Sequence, residues 1–105
     1  GVVTSRTKPN IFKIPPMMRL QEHFSVAVGF EDVENHKPHP DPLLFAARAL
    51  NIAPEEIVYI GDAHTDVLAA KAAGMKIIHF SKEGLPEVDA VTYSFAELPD
   101  IIKRL

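Results

Sequence analysis

The chain is built around residues 57–74, whose sequence is IVYIGDAHTDVLAAKAAG. The first four residues are mostly β-branched, as is typical of a strand covered on both faces in a parallel sheet. Gly61 is expected to let the backbone turn sharply where the strand ends. His64 or Thr65 then opens an alanine-rich helix, and Gly74 is well placed to end it. The stretch therefore predicts a buried strand, a tight turn and a helix in direct succession.

Two carboxylates fall at the junction of that strand and helix. Asp62 follows the strand, and Asp66 lies in the first helical turn. In open α/β sheets this edge binds ligands, and two acids placed there repel each other unless a cation or base lies between them. Acids are also common at such junctions as simple helix caps. The pair by itself leaves a binding site and a capping role equally open.

Strands and helices alternate on either side of this stretch. Strand patterns are found at residues 1–4, 24–29, 75–80 and 90–93. Helical patterns are found at 42–50 and 95–105, whereas the prolines within 7–22 predict a broken or kinked helix. This alternation predicts βαβ units and a mostly parallel α/β sheet. Right-handed crossovers then bring the ends of all the strands to one edge.

The helix at 42–50 has its own start signal and its own buried face. Asp41 is expected to cap it, with Pro42 at the first helical position. Leu43, Ala47 and Leu50 recur at i, i+4 and i+7. The helix is therefore expected to lay an apolar stripe on the sheet.

Composition limits the chain to one globular domain or part of one. Its 105 residues are 47% apolar and 24% charged. The net charge of −3 gives no electrostatic reason to expect nucleic acid or an anionic membrane as a partner. No apolar run approaches the ~20 residues that span a bilayer. The absence of cysteine excludes disulfides and thiolate metal sites from these residues and is compatible with the cytoplasmic location that we expect.

The shared strand edge would collect groups that suit phosphate chemistry. It receives Thr4 and Ser5 from one strand end, Lys37 from the loop after the next strand, and Asp62 with Asp66 from the third. Mg²⁺ prefers a few carboxylate oxygens together with water and a substrate phosphate, and a lysine neutralises phosphoryl oxygens. Taken singly, Thr4 is explained as a strand residue and Lys37 as a solvated loop lysine. Only the combination, in this order, indicates a site.

Three segments together resemble the second, third and fourth motifs of the haloacid dehalogenase-like hydrolase superfamily, and within it the phosphoglycolate phosphatase type. They are GVVTS at 1–5, KPHPDP at 37–42 and GDAHTD at 61–66. The resemblance covers nearly the whole chain. It implies a Rossmann-like, three-layer α/β/α fold with a parallel sheet, of which residues 1–105 form the C-terminal portion of the core domain.

The resemblance also implies roles for the residues at the strand edge. Thr4 would hydrogen-bond the transferring phosphoryl group, and Lys37 would stabilise both that group and the nucleophile. Asp62 would be a Mg²⁺ ligand, and Asp66 would support the metal site directly or through a neighbouring group. Ser5 occupies a position that often contributes to the phosphate pocket. The implied activity is that of a Mg²⁺-dependent phosphatase, which acts on a small phosphorylated metabolite through an aspartyl-phosphate intermediate.

Members of this superfamily carry their aspartate nucleophile, followed two residues later by an acid/base aspartate, on a strand that comes before the second motif. No Asp-x-Asp pair precedes Thr4 in this sequence. The resemblance places the nucleophile strand at the centre of the sheet, between the strands at 1–4 and 57–60, with a helical cap after it. We therefore expect a missing N-terminal segment, or a second copy of the chain, to fill that gap. The 105 residues alone are expected to be inactive.

Three other functions are compatible with parts of the pattern. A non-catalytic module would bind phosphate or a partner without turnover. A receiver-like signalling domain also combines acids and a lysine, but its lysine would come late in the chain, whereas Lys37 precedes Asp62. A hydrolase with a histidine-bound metal would use His36, His39 and His64, although histidines in polar loops are usually surface residues.

Overall fold

The structure is a computed structural model, and it describes residues 1–4, 6–7, 10, 13, 21–83 and 88–105. The strands in these ranges are β1 (Val2–Val3), β2 (Ala27–Val28), β3 (Val58–Gly61), β4 (Lys76–Phe80) and β5 (Ala90–Thr92). The helices are α1 (Asp41–Leu50), α2 (His64–Ala73) and α3 (Leu98–Arg104). The predicted elements thus occur in the predicted order, although the strands expected at 1–4 and 24–29 are each two residues long, and the helix expected at 95–105 begins with a 3₁₀ turn before α3. The broken helix predicted within 7–22 falls largely outside the described residues.

All strand pairs are parallel, but the strands form two sheets. β1 pairs with β2, and β4 lies between β3 and β5. The pairing of β1 continues beyond its last residue, where the Thr4 N–H donates to the Val28 carbonyl at 3.0 Å. No strand pairing joins β1 to β3 within the described ranges. The predicted parallel α/β architecture is confirmed. In the described ranges its strands form two separate sheets, and the break lies between β1 and β3.

The core lies between the two long helices and one face of the strands. Leu43 of α1, Val67 of α2 and Ile77 of β4 are fully buried. α1 contacts β1, β2 and α2, while α2 contacts β3 and β4. The alanines of α2 allow this close approach because a methyl group keeps the helix near the strands. The stripe predicted on α1 is buried at Leu43 and Ala47, whereas Leu50 is only partly covered.

The predicted cap of α1 is wrong. Asp41 is the first residue of the helix, and Pro40 is its N-cap. The Leu44 N–H donates to the Pro40 carbonyl at 2.9 Å, so the first helical hydrogen bond starts one residue earlier than expected. The Asp41 carboxylate instead accepts a hydrogen bond from the Asn35 side chain at 3.1 Å. Pro42, expected at the first helical position, is the second residue of the helix and still lies in its first turn.

Both long helices end on a residue in the left-handed conformation. α1 is closed by Asn51 at φ 56° and α2 by Gly74 at φ 78°. The Gly74 N–H returns to the carbonyl groups at the end of α2, which satisfies acceptors that the helix leaves free. The predicted stop at Gly74 is therefore confirmed. None of the helices in the described ranges has the length and apolar composition that crossing a bilayer requires.

Gly74→Ala is expected to lower the free energy of unfolding by about 1 kcal/mol, because an L-residue with a Cβ is disfavoured in the left-handed region. The added methyl would meet no atom within 4 Å, so the cost is one of backbone conformation alone. Urea denaturation measures it. Gly74→Asn is the matched control and should lose less, since Asn51 already adopts this conformation. Equal losses for alanine and asparagine would contradict the explanation.

Candidate active site

An open cavity of about 320 Å³ lies at the carboxyl ends of β1 and β3. Thr4, Lys37, Asp62 and Asp66 all line it, so four of the five predicted site residues come together. The fifth, Ser5, falls outside the described residues. Two further clefts run along α1, and neither contains a predicted site residue. The cavity at the strand ends is therefore the candidate active site.

A buried ion pair forms the inner wall of the cavity. The Lys37 ammonium donates to Asp66 Oδ1 at 2.7 Å, and the two side chains are only 15% and 8% exposed. The second carboxylate oxygen of Asp66 accepts the Ala63 N–H at 3.1 Å. Asp66 therefore caps α2 and, at the same time, holds the lysine of a distant loop. Of the two explanations that the sequence left open for the acidic pair, a binding site and a capping role, the structure shows the capping contact of Asp66.

The charge of Lys37 is strengthened by its partners. Burial lowers the pKa of the Lys37 ammonium, but the hydrogen bond and charge of Asp66, together with Tyr59, outweigh that effect. The net result is a pKa raised above the ordinary 10.5. Lys37 therefore remains cationic at neutral pH. Its contribution to stability is fully present below 10.5 and is lost only as the pH rises through the still higher pKa of the folded state.

Tyr59 belongs to the same cluster, and the sequence analysis missed it. Its hydroxyl oxygen lies 3.4 Å from Lys37 Nζ and 3.4 Å from Asp66 Oδ1. Successive residues of a strand point to opposite faces, so Tyr59 and Gly61 share the face that packs against α2. That alternation was the signal in the sequence, because a tyrosine two positions before the glycine had to lie beside the start of the helix.

Gly61 has a different purpose from the predicted one. Gly61 ends β3. Among the described glycines, Gly74 has a positive φ and Gly61 does not, so the backbone conformation at position 61 does not require a glycine. A Cβ at Gly61 would lie 2.4 Å from the Cβ of Asp66 and 2.8 Å from its Oδ2. The glycine is needed because the Asp66 side chain passes directly over the strand. Its role is to leave room for the ion pair.

Asp62 presents the available carboxylate of the site. Its side chain is exposed and lines the cavity, and no described residue hydrogen-bonds or pairs with it. Its backbone carbonyl lies 3.1 Å from Nε2 of the buried His79 ring and accepts a hydrogen bond from it. That ring therefore anchors the main chain at Asp62 while the carboxylate stays open to a ligand.

The carboxylates of the site suit a Mg²⁺ ion that is bound partly by the protein and partly by water and phosphate oxygens. The described residues contain no group of three histidines and acids able to enclose a metal ion. Mg²⁺ does not need such a cage, because it commonly takes one or two carboxylates and completes its shell with water and substrate oxygens. Asp62 fits that role, whereas both oxygens of Asp66 already have partners.

The histidine-metal alternative gains no support. His36, His39 and His64 form no metal-binding group in the part of the chain that the structure describes. His36 stacks on Phe30 at 4.2 Å between ring centroids, and its Nε2 hydrogen-bonds the Phe30 carbonyl at 2.8 Å. Its ring is thus a structural part of the loop that carries Lys37.

Thr4 and two aromatic side chains complete the lining. The Thr4 hydroxyl oxygen accepts the Arg6 N–H at 3.1 Å, which leaves the hydroxyl hydrogen free to be donated to a ligand. Phe80 and Phe95 stack on each other at 4.3 Å and form an apolar wall that the sequence analysis did not anticipate. The cavity therefore combines a polar floor with an apolar side.

Comparison with known proteins identifies the family of this chain. Residues 1–80 match a family model described as haloacid dehalogenase-like hydrolase. Phosphoglycolate phosphatase of Escherichia coli (strain K12) is 43% identical over 74 residues, which are 70% of this chain and 29% of that protein. The corresponding enzyme of Salmonella typhi is 42% identical over the same length. The chain thus spans less than a third of the curated relatives that it matches.

Solved structures resemble the chain over nearly its full length. A HAD-superfamily hydrolase of subfamily IA from Geobacter sulfurreducens is 31% identical with a TM-score of 0.80, covering 97% of this chain and 47% of that one. CbbY from Rhodobacter sphaeroides, solved with phosphate, is 30% identical with a TM-score of 0.79, covering 92% of this chain and 47% of that one. The similarity covers about half of each of these larger structures.

Asp66→Asn is expected to lower the free energy of unfolding by about 3 kcal/mol, because it leaves the buried Lys37 ammonium without its anion. An amide also presents one acceptor where the carboxylate served two donors. Urea denaturation measures the loss. Asp62→Asn is the matched control, since that exposed carboxylate has no described partner, and it should change stability by no more than ~0.5 kcal/mol. Similar effects at the two positions would contradict the ion-pair argument.

Gly61→Ala is expected to destabilise the protein by about 2 kcal/mol, because the new methyl collides with Asp66. Thermal and urea unfolding both report the effect. Its direction is diagnostic, since replacing a glycine in an unobstructed strand stabilises a protein by restricting the unfolded chain. A gain in stability would show that Asp66 does not need the space above Gly61.

Proposed function

This chain belongs to the haloacid dehalogenase-like hydrolase family, and on that premise we propose that it supplies the phosphoryl-binding part of a Mg²⁺-dependent phosphatase. The observation that carries the proposal is the single cavity shared by Thr4, Lys37 and Asp62. It places a hydroxyl donor, a cation and an open carboxylate around one space. Those are the groups that phosphoryl transfer requires, because its catalysis depends mainly on position and charge.

Lys37 and Thr4 bind the phosphoryl group. The ammonium of Lys37 neutralises charge that develops on the phosphoryl oxygens, and the Thr4 hydroxyl donates its free hydrogen to another oxygen. Asp66 holds Lys37 on the cavity wall, so the cation is in position before the substrate arrives. Ser5 follows Thr4 in the sequence, and we propose that it adds a further contact to the phosphate.

Asp62 binds the metal ion. Mg²⁺, when bound, draws electron density from the phosphoryl oxygens and lowers the repulsion that an anionic nucleophile meets. The His79 contact fixes the main chain from which the Asp62 carboxylate projects. Asp66 acts on the metal site indirectly, because its hydrogen bond to Ala63 sets the course of the loop between Asp62 and α2.

The nucleophile comes from outside these 105 residues. We propose that residues 1–105 are the C-terminal portion of a core domain, and that a strand bearing Asp-x-Asp lies between β1 and β3. Two observations support this: the described strands leave β1 and β3 unjoined, and both border the cavity. Unpaired strand edges favour occupation because their backbone donors and acceptors need partners. The strand belongs to the same polypeptide or to a second copy.

With that aspartate in place, hydrolysis proceeds in two steps. A carboxylate oxygen bonds to phosphorus while the ester P–O bond breaks, and the leaving alkoxide takes a proton from the acid/base aspartate. Water then gives a proton back to the acid/base aspartate as its oxygen bonds to phosphorus, and the P–O bond to the nucleophile breaks, which releases inorganic phosphate and restores the nucleophile carboxylate. Lys37 remains in contact with the phosphoryl oxygens throughout, so its charge stabilises both transition states.

The substrate is proposed to be a small phosphorylated metabolite. The curated relatives are phosphoglycolate phosphatases. A mutant of CbbY from Rhodobacter sphaeroides was crystallised with xylulose-(1,5)bisphosphate, and that protein is 30% identical to this chain. Both names describe compounds in which a phosphate is attached to a short carbon skeleton.

The full polypeptide that carries this sequence is expected to release inorganic phosphate from small phosphate monoesters only when Mg²⁺ is present. Lys37→Ala should lower kcat/KM by roughly 10²–10³, as is typical when one donor to a developing oxyanion is lost. Asp62→Asn should instead raise the Mg²⁺ concentration needed for half-maximal activity. A steady-state phosphate-release assay measures both effects.

Lys71→Ala provides the matched control, because Lys71 is an exposed lysine in the last turn of α2. It should leave the kinetics unchanged. Wild-type activity in both Lys37→Ala and Asp62→Asn would refute the assignment of this site. Phosphate binding without turnover in the full polypeptide would favour the non-catalytic module.

A further inference from the structure

Tyr59 is a polar group of the site that the proposed chemistry leaves unused. It packs against the core formed by α1, α2 and β4, and it is one of the residues that line the cavity. The hydroxyl oxygen is equally distant, at 3.4 Å, from the Lys37 ammonium and from Asp66 Oδ1. Because an O–H donor and an oxygen acceptor are normally ~2.7–2.8 Å apart, the hydroxyl stands near Asp66 without forming a strong hydrogen bond.

The ion pair creates a difficulty for substrate binding. Asp66 is buried, and Oδ1 receives its strong hydrogen bond from Lys37 at 2.7 Å. A phosphoryl group in the cavity competes for the same ammonium, and any movement of Lys37 toward it lengthens the contact with Asp66. A buried carboxylate that loses a charged donor is destabilised. Some of the affinity for phosphate would therefore be lost unless another donor approaches Oδ1.

We propose that Tyr59 is a positioning residue that donates its hydroxyl hydrogen to Asp66 when the Lys37 ammonium turns toward a bound phosphoryl group. The inference rests on the proposed function, since it assigns a task within the same site. The required movement is small, because shortening 3.4 Å to a normal hydrogen bond takes well under 1 Å. Asp66 Oδ1 thus keeps a hydrogen-bond donor, which is Lys37 before phosphate binds and Tyr59 after Lys37 has turned toward the phosphate.

The Tyr59 hydroxyl has to be protonated in order to donate a hydrogen bond, and its surroundings favour the protonated form. Burial raises the pKa of Tyr59 above 10.0, an effect that the nearby Lys37 charge reduces and the Asp66 charge reinforces. The hydroxyl therefore keeps its hydrogen at neutral pH and is able to donate it. Lys37 and Asp66 are the charged groups that face it. A phenylalanine at position 59 would preserve the ring packing and remove only the donor.

Tyr59→Phe is expected to weaken the binding of inorganic phosphate about fivefold, which corresponds to the loss of one hydrogen bond of ordinary net strength. Isothermal titration of the full polypeptide with inorganic phosphate measures this directly, without turnover. In the phosphate-release assay KM should rise by a similar factor, while kcat changes less than twofold. A residue that only supports packing would not produce this separation of KM from kcat.

Tyr93→Phe is the matched control, because Tyr93 is 61% exposed and does not line the cavity. It should leave phosphate affinity unchanged. A second test is non-additivity: in an Asp66→Ala background, which removes the oxygen that Tyr59 serves, Tyr59→Phe should have no further effect on phosphate affinity. Thermal unfolding of each variant establishes that it is folded.

The possible outcomes separate the inference from the function on which it rests. If wild-type protein binds phosphate and Tyr59→Phe binds it equally well, the role of Tyr59 is refuted while the phosphate site stands. That role is also refuted if Tyr59→Phe lowers affinity equally with and without the Asp66 carboxylate. If the wild-type protein neither binds nor releases phosphate, the proposed function fails, and the inference fails with it.

Discussion

The Lys37–Asp66 ion pair is the contact on which the rest of the site depends. It links the loop after β2 to the first turn of α2, and both side chains are withdrawn from solvent. Buried ion pairs are favourable only when the geometry is good and the remaining donors and acceptors are also satisfied. Here the second oxygen of Asp66 accepts the Ala63 N–H, and Tyr59 stands beside the first. The pair is therefore supported on each side, and the Lys37 ammonium is held at the cavity.

Space for this pair is provided by the smallest side chains in the chain. Gly61 leaves the surface of β3 open where Asp66 crosses it, since a single methyl would come within 2.4 Å of the Asp66 Cβ. The alanines of α2 let the helix lie close to β3 and β4, so its first turn reaches the strand ends. Gly61 and the alanine-rich face of α2 thus provide the space in which the Asp66 carboxylate reaches Lys37.

The division between β1 and β3 relates the site to the larger proteins of its family. Thr4 on one side and Asp62 on the other face a common cavity, yet no strand pairing in the described ranges connects their strands. The chain spans 29% of its curated relatives and about half of the similar solved structures. If the proposed phosphate-binding groups lie on this chain and the proposed nucleophile strand lies between β1 and β3, the chain would be expected to cover only part of its relatives, as it does.

The sequence by itself determined the order of strands and helices, the stop at Gly74, and the placement of Thr4, Lys37, Asp62 and Asp66 at one edge. It could do so because these properties follow from local periodicity and from the rule that parallel strands end on the same side. Ser5 remains a prediction. The tertiary structure alone decided that Asp66 pairs with Lys37, that Tyr59 joins them, and that Gly61 is there to make room. The contacts of Lys37 join segments 22 to 29 residues apart, and the position of the Asp66 side chain over Gly61 depends on how α2 packs on β3; local patterns encode neither. The wrong cap at Asp41 has a similar origin, because a carboxylate able to cap its own helix hydrogen-bonds Asn35 in the preceding loop instead.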